Sequence, residues 1–406
     1  MKSQNMDAIV DHKRGDIKPH TKALPIFLGA AIFEAGQGGI ARVARMTAQT
    51  LVANGYDLET LSLLDDRPVR FGRHKIHMAR GSRLAFAAHC YLAALKAQHF
   101  VYDTAGVARA HASLGRLRRP YAVWMHGIEV WHGLRRSAQA ALKAADLRIA
   151  NSKFTLNKYR ELHGDLANAQ ICWLATEEDD PPAAMPDFSG PPTVLILGTI
   201  DGSLAYKGHT ELVACWRAVA SAVPDARLLI AGAGSGLGNL IAQAKASGVP
   251  NNIEFTGFVR EQDLPSLWRR THVFAMPSRN EGFGIVYAEA MRHSVPVIAS
   301  VHDAGHEINM HERTGFNVDL DRRGELAESL ISLLRSPDLI RKMGQAGHER
   351  WREYFRFSAF HKRLAPIIQG FVGGMDSRSP LRQLTKPGCE IAELTEEASA
   401  DRSDFR

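Results

Sequence analysis

Val273 to Ser300 reads VFAMPSRNEGFGIVYAEAMRHSVPVIAS. Val273 to Met276 is an apolar run of strand length, Pro277 to Gly284 is rich in turn residues, Ile285 to Arg292 has helical spacing, and Val295 to Ala299 is apolar again. The stretch therefore predicts one strand-loop-helix-strand unit of a parallel sheet. In such a unit the loop opens onto the N-terminus of the helix, where unpaired N–H groups and the helix dipole favour anions such as phosphate. Gly282 and Gly284, on either side of Phe283, let backbone approach a ligand closely. Glu281 in the loop and Glu289 about a turn into the helix can face one ligand, and sugar hydroxyls are good donors to such carboxylates. A sugar nucleotide meets both demands.

Glu281, seven residues and Glu289, set within PSRNEGFGIVYAEAM, resemble the signature of the retaining glycosyltransferases of family 4. The resemblance is closest from Val194 to Asn317 and weaker from Leu24 to Thr176. It implies an α/β protein of the GT-B fold, two Rossmann-like domains facing across an interdomain cleft. It also implies a metal-independent transfer from a nucleoside-diphosphate sugar, with no cofactor. By resemblance Glu281 binds hydroxyls of the donor sugar and Glu289 the ribose, while Ser278, Asn280, Gly282, Phe283 and Gly284 line the donor. The loop wording is most similar to bacterial exopolysaccharide members, whose acceptors are glycans or lipid-linked sugars at the cytoplasmic face of the membrane.

A chain of 406 residues with 45% hydrophobic content is long enough for two buried cores. Residues 1–22 read as a mobile leader, 23–176 as an acceptor-side Rossmann-like domain, and 177–192, acidic and proline-rich, as a linker. Residues 193–350 then form the donor-side domain, 351–372 a helix crossing back to the first, and 373–406 a disordered polar tail. The start of the chain lacks the apolar core of a signal peptide, and Leu84 to Leu95 is too short to span a bilayer, so a cytoplasmic protein is expected. Cys90, Cys172, Cys215 and Cys389 lack metal or redox spacing.

Leu24 to Gly29 predicts a buried strand, followed by a glycine loop and a helix from Ile40 to about Asn54, so Gly38 and Gly39 can admit a ligand to the helix start or simply form a tight turn. Tyr121 to Met125 predicts a strand whose sequel, HGIEVW, sets His126 at the carboxyl edge of the sheet, where open parallel sheets bind ligands. The family has a similar element beside its donor sugar, which implies a catalytic role for His126. Ser152 reads as the cap of the helix beginning at Lys153, and the NSKFT run as architecture. Arg116, Arg118 and Arg119, with Arg135 and Arg136, form either a solvated face or a dock for anionic lipid.

The loop from Gly198 ends in Tyr206-Lys207-Gly208, where a lysine just ahead of a helix can meet phosphate. The resemblance assigns Lys207 and Gly208 to the donor diphosphate. Where the family usually carries an arginine after the first glycine of this loop, this chain has Thr199. Either Arg42 or Arg279 replaces that cation, or donor binding is weaker, and a second reading is a catalytically weak sugar-nucleotide-binding assembly partner. Among carboxylates of the first domain's motifs, only Glu129 stands out as a nucleophile, so the resemblance implies front-face substitution.

Other chemistries fit less well. AGAGSGLG at 231–238 has Leu237 where a dinucleotide fingerprint needs its third glycine, and HEINMH at 306–311 spaces its histidines five apart where a metalloprotease needs four. Asp319-Leu320-Asp321 reads as a turn, not a metal site. No Gly-x-Ser-x-Gly elbow occurs, and no nucleic-acid-binding motif accompanies the arginines.

Overall fold

The computed structural model describes residues 23–131, 133–202 and 207–374. The expected leader, Tyr206, and the tail beyond 374 with Cys389 lie outside the described residues. Eight strands form the first sheet: β1 (Pro25–Ala30), β2 (Asp57–Ser62), β3 (Arg70–Phe71), β4 (His74–Met78), β5 (His99–Tyr102), β6 (Tyr121–Met125), β7 (Leu147–Ala150) and β8 (Ala169–Ile171). Their order is β3-β4-β2-β1-β5-β6-β7-β8, parallel except for the β3–β4 pair. Six parallel strands form the second: β9 (Thr193–Leu197), β10 (Arg227–Ala231), β11 (Ile253–Gly257), β12 (Val273–Ala275), β13 (Val297–Ser300) and β14 (Gly315–Val318), in the order β11-β10-β9-β12-β13-β14. The α/β architecture with two Rossmann-like sheets is as the sequence predicts.

Both sheets reverse their strand order beside their first strand, between β1 and β5 and between β9 and β12. Ligand crevices of open parallel sheets form at such switch points, beyond the carboxyl ends of the strands. The central strands are long apolar runs because they are covered on both faces: Phe27, Leu28, Trp124, Leu195 and Ile196 are all fully buried.

The helix Arg83–Ala93 buries Phe86, Cys90 and Ala93, spaced to share one face, and turns Leu84 (86% exposed), Leu92 and, just past its end, Leu95 to solvent. After the helix Pro337–Arg350 comes a π-helical turn, Trp351–Phe355, and then the helix Phe357–Val372. The Trp351 indole donates to Thr176 Oγ1 (2.9 Å), the Phe360 ring stacks over Trp124 of β6, and Arg363 Nη2 donates to the Trp173 carbonyl (3.0 Å). The described residues up to Ala365 group as one compact unit; the second begins at Pro366, and its described part is the end of that last helix. Among the described residues no helix is long and apolar enough to cross a membrane.

Candidate active site

On the second sheet, β9 runs out into Gly198, and a Cβ there would stand 3.0 Å from Lys207 Cδ, so the lysine stem lies along the strand end only because residue 198 has no side chain. Lys207 Nζ donates to Glu281 Oε2 at 2.7 Å, with both side chains less than a fifth exposed. The Glu281 backbone is clamped in turn: its N–H donates to Asp303 Oδ2 (3.0 Å) and its carbonyl accepts from the Ala304 N–H (3.1 Å). Asp303 also accepts from the Ser278 hydroxyl and the Gly305 N–H (2.9 Å). Burial pushes its carboxyl up to about 7, against those hydrogen bonds. The sequence reading missed Asp303, whose one signal is its place just past β13, the strand next to β12.

Glu289, one turn into the helix Ile285–Arg292, ion-pairs with Arg42 from the helix Gly39–Ala53 of the first sheet. Arg42 also stands 3.8 Å from Glu177 and 4.0 Å from Glu261. Its neighbour Arg45 holds Glu177 through two bonds of 2.7 and 2.6 Å, so the acidic segment between the sheets is anchored on this helix. A Cβ on Gly39 would lie 3.7 Å from Ile285 Cδ1, which sets the starts of the two helices side by side.

The first sheet contributes His126 at the end of β6. Its Nε2 lies 2.6 Å from the Asp103 carbonyl, so the proton is on Nε2, and its backbone N–H donates to Glu129 Oε1 (2.6 Å). Burial lowers its pKa and keeps the imidazole neutral. Glu129 is thus tied to backbone and is poorly placed as a nucleophile. A carboxyl that the sequence reading overlooked, Asp103, lies beside the histidine; it accepts from the Ala31 N–H (2.7 Å), and burial raises it to about 8.

The two sheets meet at Gly282. A Cβ there would overlap the His126 carbonyl oxygen and press on Gly127, while the Gly282 carbonyl accepts from Ser152 Oγ (2.6 Å) and Thr155 Oγ1 (3.1 Å). Lys158 Nζ donates to Asn280 Oδ1 (2.9 Å), and Glu307 accepts the Lys153 and Phe154 N–H groups. The NSKFT run is therefore a clasp between the sheets.

Several expectations change. Ser278 is fully buried and bonds Asp303; Phe283, 1% exposed, packs edge-on to Phe355; neither side chain faces the cleft. Gly282 and Asn280 meet the first sheet's residues, not open space. Gly284 (φ +81°) and Gly208 (φ +90°) cap helices in the left-handed region, and Gly38 (φ +92°) has open space where a Cβ would sit. Thr199 is exposed. Of the two cations considered for its place, Arg279 pairs with Asp321 at the surface (2.8 Å), and only Arg42 stands in the cleft. Gly232 and Gly234 of AGAGSG abut the carbonyls of Gly198 and Ile200, so that run packs the loop after β9. His302, Asp319 and Asp321 stand close enough to share a cation, but Arg279 and Arg322 already pair with the two carboxylates, and the Asp321 N–H closes a turn on Asp319 (3.0 Å).

Residues 186–350 match the glycosyl transferases group 1 family. Over 265 residues the chain is 29% identical to the GDP-mannose-dependent alpha-(1-6)-phosphatidylinositol monomannoside mannosyltransferase of Mycobacterium tuberculosis, covering 60% of this chain and 68% of that protein. It is 24% identical to the mannosylfructose-phosphate synthase of Agrobacterium fabrum, over 44% and 40% of the two chains. Among solved structures, sucrose-phosphate synthase from Thermosynechococcus elongatus superposes with a TM-score of 0.73 at 18% identity, over 86% of this chain and 99% of that one. The Anabaena HepE protein in complex with UDP gives 0.67 at 17%, over 86% and 100%. With its paired parallel sheets the chain has the GT-B fold, and within it residues 186–350 resemble the glycosyl transferases group 1 family.

Proposed function

We propose that the protein is a retaining, metal-independent glycosyltransferase of the family 4 type that moves a sugar from a nucleoside-diphosphate donor to a glycan or lipid-linked acceptor. The observation that carries the reading is the Lys207–Glu281 pair at the second sheet's switch point, with Glu289 on the helix behind it and the His126–Gly127 backbone opposite. Lys207 and the N–H groups opening the Ile285 helix would hold the diphosphate and stabilise it as it departs. Glu281 would take hydroxyls of the sugar and Glu289 those of the ribose. Since burial holds Asp103 neutral and Glu129 is engaged by the His126 backbone N–H, neither is well placed to attack the sugar, which favours front-face substitution in which a diphosphate oxygen takes the acceptor's proton.

A basic, leucine-bearing stretch of the first sheet's half supports a lipid-linked acceptor. Between Arg67 and Ile128 the chain carries eleven lysines and arginines and one acidic residue, the buried Asp103. Leu84, Leu92, Leu95 and Leu114 are each more than three-fifths exposed among them. Arg119 Nε donates to the Ala94 carbonyl (3.1 Å), which joins the Arg116–Arg119 segment to the end of the leucine-bearing helix. Exposed leucines within a basic field suit an anionic bilayer surface. A lipid-linked acceptor at the cytoplasmic face, in exopolysaccharide or related cell-surface glycan synthesis, accords with this face and with the phosphatidylinositol-linked substrate in the mycobacterial relative's name.

Melting temperature measured against UDP, GDP and ADP tests the reading, because a ligand that binds only the native state raises it. One diphosphate is expected to do so by several degrees. Replacing Lys207 with Ala is expected to abolish that shift and to lower turnover with the matching sugar nucleotide roughly 10²- to 10³-fold. No shift with any of the three, together with no transfer, would overturn the proposal.

A further inference from the structure

A nucleoside diphosphate brings at least two negative charges into the cleft, and on the second sheet's side Lys207 is the cation that the described residues set at the switch point. Its partner Glu281 offsets that charge. Arg279 is turned outward onto Asp321, and Thr199 offers only a hydroxyl. Arg42, however, reaches across from the Gly39 helix to Glu289, beside the start of the Ile285 helix. Of the carboxylates around it, Glu177, Glu178, Glu261 and Glu289, only Glu289 is within hydrogen-bond reach, with Glu177 at 3.8 Å and Glu261 at 4.0 Å. The guanidinium therefore hydrogen-bonds the carboxylate that the proposed function gives to the ribose, while the others offset its charge from further away.

We infer that Arg42 is the second cation of the donor site: it holds Glu289 while the cleft is empty and turns onto the diphosphate when the ribose hydroxyls take its place. The inference rests on the glycosyltransferase reading. The exchange keeps every charge satisfied. Ribose hydroxyls donate to Glu289 in place of the guanidinium N–H groups, and those N–H groups find phosphate oxygens, for which the planar fork of arginine is well matched. Because Arg42 comes from the first sheet and Lys207 from the second, the diphosphate would be gripped from both sides only when the two sheets are together. Thr199 then needs no arginine, since that cation has moved to the opposite wall.

Calorimetry on the full chain tests this with whichever of UDP, GDP or ADP binds the wild type, and with the corresponding monophosphate. Arg42→Ala is expected to weaken the diphosphate about 10- to 100-fold, the loss of a charge-assisted contact, and the monophosphate clearly less. Arg42→Lys should recover part of the loss, and Thr199→Arg added to Arg42→Ala should recover more. Diphosphate affinity unchanged or raised in Arg42→Ala, or lowered equally for both nucleotides, would reduce Arg42 to a strut between the sheets and overturn the inference. Should Arg42→Ala fail to fold, the same comparison is made with Arg42→Lys and Arg42→Gln, where equal diphosphate-to-monophosphate ratios in wild type and Gln variant would overturn it. A wild type that binds none of the three nucleotides fails the glycosyltransferase reading itself, a separate result.

Discussion

The two sheets present glycine loops at equivalent switch points but use the missing side chains differently. On the second sheet, Gly208 packs against Pro277, Gly232 against the Gly198 carbonyl and Gly282 against His126, so backbone or side chain fills the place of each absent Cβ. On the first, Gly36 and Gly38 adopt positive φ with open space beside them. The first loop thus leaves room at the head of its helix, while the second spends its glycines on bringing chain segments together. Loops with similar wording therefore differ in which substitutions they tolerate.

Gly39 and Gly282 sharpen this contrast, since neither needs positive φ and only the surroundings differ. Gly282→Ala drives a methyl into the His126 carbonyl and should hold the sheets apart, costing turnover on the order of 10²-fold, the usual penalty for misplacing reacting groups by about an ångström. Affinity for the nucleoside diphosphate should fall far less. In Gly39→Ala the new methyl meets Ile285 Cδ1 at 3.7 Å, an ordinary contact, and turnover should stay within a few-fold. Equal turnover in the two variants would break the contrast.

The basic, leucine-bearing stretch of the first half gives the next effect, which is smaller. Vesicles rich in anionic lipid should sediment the wild type at low salt, and the combined changes Leu92→Ser, Leu95→Ser, Arg116→Ser and Arg118→Ser should cut binding by 10-fold or more. Each basic residue near the surface contributes about 1 kcal/mol, and the effect should fade as salt screens it. Wild type left in the supernatant at low salt would remove the membrane from the proposed function.

What the sequence made legible follows the same division. Strands buried on both faces announced themselves as apolar runs, as in TVLIL of β9 and YAVWM of β6. The outlying strands did not: β4, next to the edge, reads HKIHM and β8, at the other edge, reads AQI, with too little apolar content to stand out from loop. Lys207, Glu281 and His126 could be proposed from the sequence because each lies beyond a strand end and stands beside glycine, and Glu289 because it lies one turn into the helix that follows. Which residues pair was not legible, because the pairings join distant positions: Arg42 and Glu289 are 247 residues apart, and Ser152 and Gly282 are 130 apart. Ser278 and Phe283 were misread for the opposite reason, since a motif position does not reveal whether its side chain points into the cleft or into the core.

In one respect the halves are alike, and it yields the smallest effect. Each keeps a buried aspartate just past a strand end to hold a loop N–H: Asp103 for Ala31 beside the open first loop, Asp303 for Glu281 in the packed second. Burial raises both carboxyls, to about 8 and about 7, well above their ordinary value of 3.8. A folded-state pKa above the unfolded one means that the native state binds more protons between the two values, so this contribution to stability is complete below about pH 4 and is lost as pH rises through 7 or 8. The melting temperature should therefore decline between pH 5 and 8, against any rise from groups shifted the other way. In Asp303→Asn, which cannot ionise, the decline should be shallower by pH 7, with the remainder from Asp103 extending to pH 8. The variant should also start lower, because its amide nitrogen becomes a donor facing the N–H of either Gly305 or Glu281. If the halves are built alike in this respect, Asp103→Asn flattens the upper part of the same curve. A slope unchanged in Asp303→Asn would mean that its three hydrogen bonds outweigh burial and hold it ionised, leaving Asp103 alone in this role.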